Sequence, residues 1–206
     1  MTPIFHITHG RNLAKIITTG KLLSDRRVLA EGVAAQVIGF EHIKRRRLEE
    51  IRVPCRPGTF VGDFVPFYFC PRSVMLYVIN KRSAELKYQG GQRGIVHLVS
   101  SVERAVASGH PCAFSSGNAG ARYVTFSTDI AQITELLDWG CISTEDWRDP
   151  AVKERKQAEF LVHDELPWEA VEEIGVIDDT VAERVTAVIA QATHRPAVVV
   201  HRNWYY

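Results

Sequence analysis

No stretch of this chain approaches the roughly 20 consecutive apolar residues that span a bilayer. The opening residues, Met-Thr-Pro-Ile-Phe-His, have neither the charged head nor the apolar stretch and cleavage site of a secretion signal, so a cytoplasmic protein is expected. Cysteine is sparse. Cys55, Cys70, Cys112 and Cys141 are scattered without a C-x-x-C pair, which argues against a zinc knuckle or redox motif and for buried free thiols in a reducing compartment. No metal is expected. H-E-x-x-H, G-x-S-x-G, a P-loop and a dinucleotide-binding glycine fingerprint are all missing, as are internal repeats and low-complexity segments. Net charge is nearly absent too: 25 Lys and Arg against 24 Asp and Glu leave +1. Any attraction for nucleic acid must therefore come from local clusters of basic residues.

What is present is an ordinary globular composition, 46% hydrophobic and 24% charged over 206 residues. That fits one domain spanning 1–206 with a proper core. Ile4–Thr8 reads as a first strand, and Asn12–Thr19 as a helix with Leu13, Ile16 and Ile17 on one face, stopped by Gly20. Residues 29–51 are expected to be mostly helical, with Val37, Ile38 and Ile43 as core candidates. A strand over 63–69 contains Pro66, which implies an edge or a bulge. Further strands are expected at 94–100, 124–126, 174–177 and 196–201. Helices are expected at 72–80, after 100 through Ala107, from an Asp129 cap to Leu137, and over 180–192. The polar region 138–157 reads as a loop with one short helix, and the aromatic end, Asn203 to Tyr206, as a tail folded back on the sheet. Strands and helices mix without a strict βαβ rhythm, so the class is α+β.

Four segments carry the chemistry. Glu159 stands at the mouth of an apolar strand, Phe160-Leu161-Val162, where a carboxylate loses hydration and needs a cationic neighbour. His6 and Thr8 share one face of the first strand; a lone strand histidine is commonly a satisfied core residue, and the second polar side chain on that face weakens this reading. Phe67-Tyr68-Phe69 precedes Arg72-Ser73 and, within the next helix, Tyr77; phenylalanines of such a cluster belong to the core, whereas a tyrosine suits stacking on a heteroaromatic ring. Lys44-Arg45-Arg46-Arg47 cannot share one helical face at 3.6 residues per turn, so at least one of them points inward, where an anion such as a pyrophosphate is its natural partner. Before Glu159, Trp147, Arg148, Lys153, Arg155 and Lys156 interleave cations with an aromatic, which suits a single-strand platform and equally a solvated loop.

Together these segments resemble the ADP-ribosyltransferase fold of the poly-ADP-ribose polymerase type, with its His, Tyr and Glu triad. The matching stretches are His6-Ile7-Thr8 with Asn12 and Gly20, Tyr68 with Ser73 and Tyr77, and Ala158-Glu159-Phe160-Leu161-Val162. Within that fold the chain is similar to the DarT family, bacterial toxins that ADP-ribosylate thymidine in single-stranded DNA. The resemblance is carried by residues 5–9, 43–47, 63–69, 72–77 and 156–162. It implies a mixed β-sheet core with flanking helices, and NAD+ as co-substrate held by His6, Thr8, Asn12, Tyr68, Tyr77 and Arg46. Catalysis would fall to Glu159 with Arg46 or Arg47: cleavage of the glycosidic bond builds positive charge on the ribose, which a carboxylate stabilises. DNA contact would fall to Lys44, Arg45, Trp147, Arg148, Lys153, Arg155 and Lys156. A macrodomain antitoxin is implied as well, and a monomer is expected. The competing readings are a transferase acting on protein, an RNA 2′-phosphotransferase of the same fold, and a non-catalytic module binding NAD or nucleic acid.

Overall fold

The structure is a computed structural model that describes residues 1–206. Its strands are β1 (Pro3–His9), β2 (Lys21–Leu23), β3 (Phe64–Tyr68), β4 (Ile95–Ser101), β5 (Cys112–Ser115), β6 (Phe126–Ser127), β7 (Glu159–His163), β8 (Glu165–Pro167), β9 (Glu173–Val176) and β10 (Ala197–Val200). The helices are α1 (Leu13–Thr19), α2 (Asp25–Ala30), α3 (Glu41–Glu49), α4 (Val74–Asn80), α5 (Val102–Ala107), α6 (Ile133–Leu136), α7 (Trp139–Ser143), α8 (Pro150–Lys156) and α9 (Asp179–Ile189). Their ends follow local chemistry. Gly20 closes α1 in the left-handed region at φ 71°, where a side chain would be strained. The Ser73 hydroxyl accepts from the Leu76 amide at the start of α4, and Asp149 caps α8 just ahead of Pro150.

Eight strands form one sheet in the order β10-β9-β4-β1-β3-β7-β5-β6, and β2 and β8 make a separate two-stranded ribbon. Within the large sheet every pairing is antiparallel except β9 with β10. With helices flanking this mostly antiparallel sheet, the α+β expectation holds. Between β1 and β3 a single position is paired, Phe5 opposite Tyr68. Both strands then turn to their other neighbours: β1 is paired along its whole length with β4, and β3 with β7. Pro66 explains the gap. It has no amide hydrogen to give β1, and its carbonyl is instead met by Nδ1 of His6 at 2.8 Å. The expectation that Pro66 marks an edge strand is therefore corrected: β3 lies in the middle of the sheet, at an internal seam that tolerates a missing donor.

Residues 29–51 are also reorganised. They form the end of α2, an irregular segment over 31–40, and α3, because Gly32 takes φ 61° and breaks the helical path. Val37 and Ile43 are 40% and 37% exposed and lie outside the core, whereas the half-buried Ile38 packs against a core cluster around Leu76 and Ile79; all three line a cavity. The region 138–157 holds two short helices, α7 and α8. Cys70 and Cys112 are buried free thiols, whereas Cys55 and Cys141 are half-buried, which corrects the uniform expectation.

The aromatic tail does pack back on the sheet. Trp204 stacks on His201 with centroids 3.7 Å apart, and the Tyr205 hydroxyl donates to the Ile95 carbonyl at 2.9 Å. Beneath it His97 is fully buried, with Nε2 3.0 Å from the Pro71 carbonyl. A carbonyl only accepts, so Nε2 carries the hydrogen. Burial lowers the His97 pKa from 6.5 to about 4. The unfolded chain therefore binds this proton first, and stability present above pH 6.5 falls as the pH drops towards 4. Urea titrations at pH 7 and pH 4 should show about 3 kcal/mol less acid-induced destabilisation in His97→Gln than in the wild type. Equal pH dependence in the two proteins would contradict this.

Candidate active site

A cavity of about 670 Å³ opens where β1 and β3 part, within the size range of small-molecule sites. One lip carries His6 and Thr8, the other Pro66 and Tyr68. Glu159 of β7 and Arg46 and Arg47 of α3 close one side, and residues 33–40 arch across another.

Glu159 is the first residue of β7, buried, and directly opposite Tyr68 in the β3–β7 register. Its carboxylate is gripped by Arg47, Nη1 to Oε1 at 3.0 Å and Nη2 to Oε2 at 2.7 Å. The Ala119 amide adds a third donor at 3.3 Å to Oε1. Arg47 is thus the inward cation of the basic run. Its partner is this carboxylate, and the fork geometry of guanidinium on carboxylate fixes both groups. Burial alone would lower the Arg47 pKa. The charge of Glu159 and the hydrogen bonds to it outweigh that and hold the pKa above its ordinary value, so the guanidinium stays charged. Tyr68 is pushed well above the ordinary phenol range, first by burial and then by Glu159, and remains a neutral hydroxyl. Burial pushes the His6 pKa down. His6 is then a neutral imidazole whose Nδ1–H donates to Pro66, leaving Nε2 as an acceptor in the cavity wall.

Asn12 lines the cavity and is also bonded within the chain. Its Nδ2 donates to Thr8 Oγ1 at 3.0 Å and to the Gln36 carbonyl at 3.1 Å, while its Oδ1 accepts from the Gln36 amide at 2.7 Å. It ties the arching segment to β1, at the cavity wall.

The other expected site residues divide. Arg46 lines the cavity and pairs with Glu50 at 3.2 Å. Lys44 lines it and pairs with Asp25. Lys153 lines it and sits 5.7 Å from the Trp147 ring. Arg45 is exposed on α3, away from the cavity. Arg148 and Arg155 are exposed and paired with Asp146 and Asp138. Tyr77 lies outside the cavity: it packs edge-on against Trp147 at 4.9 Å and Tyr206 at 5.2 Å, so the structure does not bring it to the ligand wall. The neighbouring α4 residues Val74, Met75 and Val78 line the cavity instead.

Lys156 is a plain correction. It is buried, and its ammonium donates to the carbonyls of Ile142 at 2.7 Å and Thr144 at 2.8 Å. It satisfies orphan carbonyls at the end of α7 and is not available to DNA. Lys156→Met should cost about 2 kcal/mol in urea unfolding, and a stability loss under 0.5 kcal/mol, on the scale of a surface substitution, would refute the structural role.

Sequence reasoning passed over residues 117–120. Asn118 and Gly120 line the cavity, as does Gln157, and the Ala119 amide touches Glu159. A Gly-Asn-Ala-Gly run between short strands reads as an ordinary turn, and only the fold brings it to the carboxylate.

The family model described as "ssDNA thymidine ADP-ribosyltransferase, DarT" matches residues 5–206. A DNA ADP-ribosyl transferase of Thermus aquaticus is 44% identical, covering 100% of this chain and 89% of its own length. Among solved structures, Thermus sp. 2.9 DarT in complex with ADP-ribosylated single-stranded DNA superposes with a TM-score of 0.92 at 40% identity, covering 100% and 96% of the two chains. The same Thermus sp. 2.9 protein in complex with NAD+ gives a TM-score of 0.88 at 37% identity, covering 100% and 98%. The chain belongs to the DarT family of single-stranded DNA thymidine ADP-ribosyltransferases.

Proposed function

We propose that this chain is a toxin that transfers ADP-ribose from NAD+ to thymine in single-stranded DNA. The observation that carries the reading is the Glu159–Arg47 pair at a cavity whose lips hold His6, Thr8 and Tyr68. The cavity suits the dinucleotide. His6 offers a free ring acceptor and Thr8 a hydroxyl to ribose hydroxyls, Lys15 and Arg46 offer cations to a pyrophosphate, and Ile38, Phe40 and Met75 offer apolar surface to the rings. When bound, NAD+ supplies an ADP-ribosyl group: its glycosidic bond breaks, nicotinamide leaves, and thymine N3 forms the new bond.

Glu159 serves that exchange twice. Its negative charge, fixed by Arg47 and the Ala119 amide, favours positive charge growing on the ribose. It also accepts the N3 proton that thymine must lose. Arg47, held charged beside it, offsets negative charge developing on the base. Tyr68 stays a hydroxyl donor facing Glu159 across the strand pair. A single strand would meet Lys44 and Lys153 on the cavity wall, with Trp147 beside Lys153 as a stacking surface and the exposed Arg45, Arg148 and Arg155 as outlying cations. On this reading the protein acts in the cytoplasm as a monomer, and a macrodomain antitoxin opposes it.

Purified protein with NAD+ should add one ADP-ribose mass to a thymine-containing single-stranded oligonucleotide, and none to a thymine-free one, a protein mixture or RNA. Transfer to protein or RNA in preference to DNA would replace the reading with one of its fold-mates. Binding of NAD+ or DNA with no nicotinamide released over hours would reduce the chain to a binding module.

A further inference from the structure

The segment just before the α8–β7 junction in space, residues 116–120, holds a relay of amides whose polarity is fixed at both ends. The Gly120 amide can only donate, and it gives its hydrogen to Asn118 Oδ1 at 2.8 Å. The Lys153 carbonyl can only accept, and it takes a hydrogen from Gln157 Nε2 at 2.9 Å. Between them Asn118 Nδ2 donates to Gln157 Oε1 at 3.2 Å. Both backbone ends impose the same orientation, so neither amide can flip without losing two hydrogen bonds. The segment itself is firmly seated. The Asn118 amide donates to the Glu154 carbonyl at 3.0 Å, Ser115 Oγ donates to the Gly117 carbonyl at 2.7 Å, and a Cβ on Gly117 would press the Glu154 carbonyl at 3.1 Å.

Asn118 has a second Nδ2 hydrogen that no protein group takes, and it lines the same cavity as Glu159. Its chain neighbour Ala119 donates to the Glu159 carboxylate. The wall beside the reacting carboxylate therefore presents a hydrogen-bond donor next to an acceptor. Thymine's Watson–Crick edge presents the complement: a carbonyl oxygen, O4 or O2, next to N3–H. Adenine presents an amine next to a bare ring nitrogen, the opposite polarity at both positions; cytosine does the same through N4 and N3, and on its O2 side it keeps a carbonyl but still lacks the N3–H. An enzyme that works on an extruded base reads it by hydrogen bonds on this edge.

We propose that Asn118 reads a carbonyl of the target base through its free Nδ2 hydrogen, with Gln157 as the positioning residue that fixes the amide, so that Asn118 and Glu159 together admit a base with a carbonyl beside N–H and refuse one whose ring nitrogen is bare. This rests on the transfer reaction proposed above. Guanine carries the same carbonyl and N–H pair on a larger ring, so the Asn118–Glu159 pair separates thymine from cytosine and adenine, and cavity shape must separate thymine from guanine.

The test compares wild type with Asn118→Ala on single-stranded oligonucleotides carrying one thymine, one 4-thiothymine or one 2-thiothymine, reading kcat/KM for ADP-ribosyl transfer. A thiocarbonyl is a poor acceptor. Its effect on N3 acidity is the same for both enzymes and cancels in the ratio. Wild type should favour thymine over one of the two analogues, and Asn118→Ala should lose roughly 10- to 100-fold on thymine while that preference collapses towards unity. Asn118→Asp, which puts an acceptor against the carbonyl, should lose more on thymine than Asn118→Ala. Equal losses on all three bases would show a merely structural role and overturn the proposal, as would no loss at all. A wild-type protein inactive on thymine would instead fail the functional reading itself, and the proposal with it.

Discussion

Glu159→Gln should lower ADP-ribose transfer to single-stranded DNA by about 10³-fold or more. Two separate contributions vanish together. Removing a preorganised electrostatic partner of a developing charge costs about 10²–10³ in rate, and losing a general base costs about 10²–10⁴. Glutamine retains the shape and an oxygen for the Ala119 amide, whose bond at present is 3.3 Å, so the loss reports charge and basicity more than packing. Nicotinamide release and oligonucleotide mass, measured on the same samples, give the readout. A variant within tenfold of the wild type would remove Glu159 from the chemistry and leave it only as the partner of Arg47.

Arg47→Ala should destabilise the protein by about 3–5 kcal/mol, the cost of leaving one member of a buried ion pair uncompensated. The pair qualifies, since the two side chains are 16% and 5% exposed and joined by two hydrogen bonds. The double variant Arg47→Ala/Glu159→Gln should recover part of that loss, because the stranded charge is gone; urea unfolding of the four proteins gives the coupling directly. Arg47→Lys should fold better than Arg47→Ala yet fail to restore activity, since one ammonium cannot hold both carboxylate oxygens. A cost under 1 kcal/mol for Arg47→Ala would mean that water or the Ala119 amide alone suffices to hold Glu159.

How far the chain could be read in advance varied with the reach of each signal. Glycine and aspartate act within a few residues, so Gly20 and Asp129 marked helix ends that the structure reproduces. Glu159 was legible because a carboxylate opening an apolar strand is locally anomalous. The inward cation was legible from helical geometry, but its identity was not: Arg47, one turn on from Lys44 in α3, is selected by where that helix meets β7, which is set by tertiary packing. Apolarity misled at Val37 and Ile43, which are exposed on a cavity wall. Charge misled at Lys156, where the ammonium serves carbonyls 12 and 14 residues back. Tyr77 shares a helix with cavity residues but points to the other side, against Trp147. Asn118 carried no local anomaly at all.

The seam between β1 and β3 divides the eight strands into two plates of four, β10-β9-β4-β1 and β3-β7-β5-β6, joined in the main chain at one residue pair. Little of the cohesion across the seam comes from the strand ladder, so it must come from the side chains packed below it. There Ile4, Val96 and Leu98 of one plate share a core with Val65, Phe67 and Phe160 of the other. Those residues carry the contact between the plates, and the cavity opens on the same seam. A change of side-chain volume at those core positions is therefore expected to be felt at the cleft, although none of them lines it.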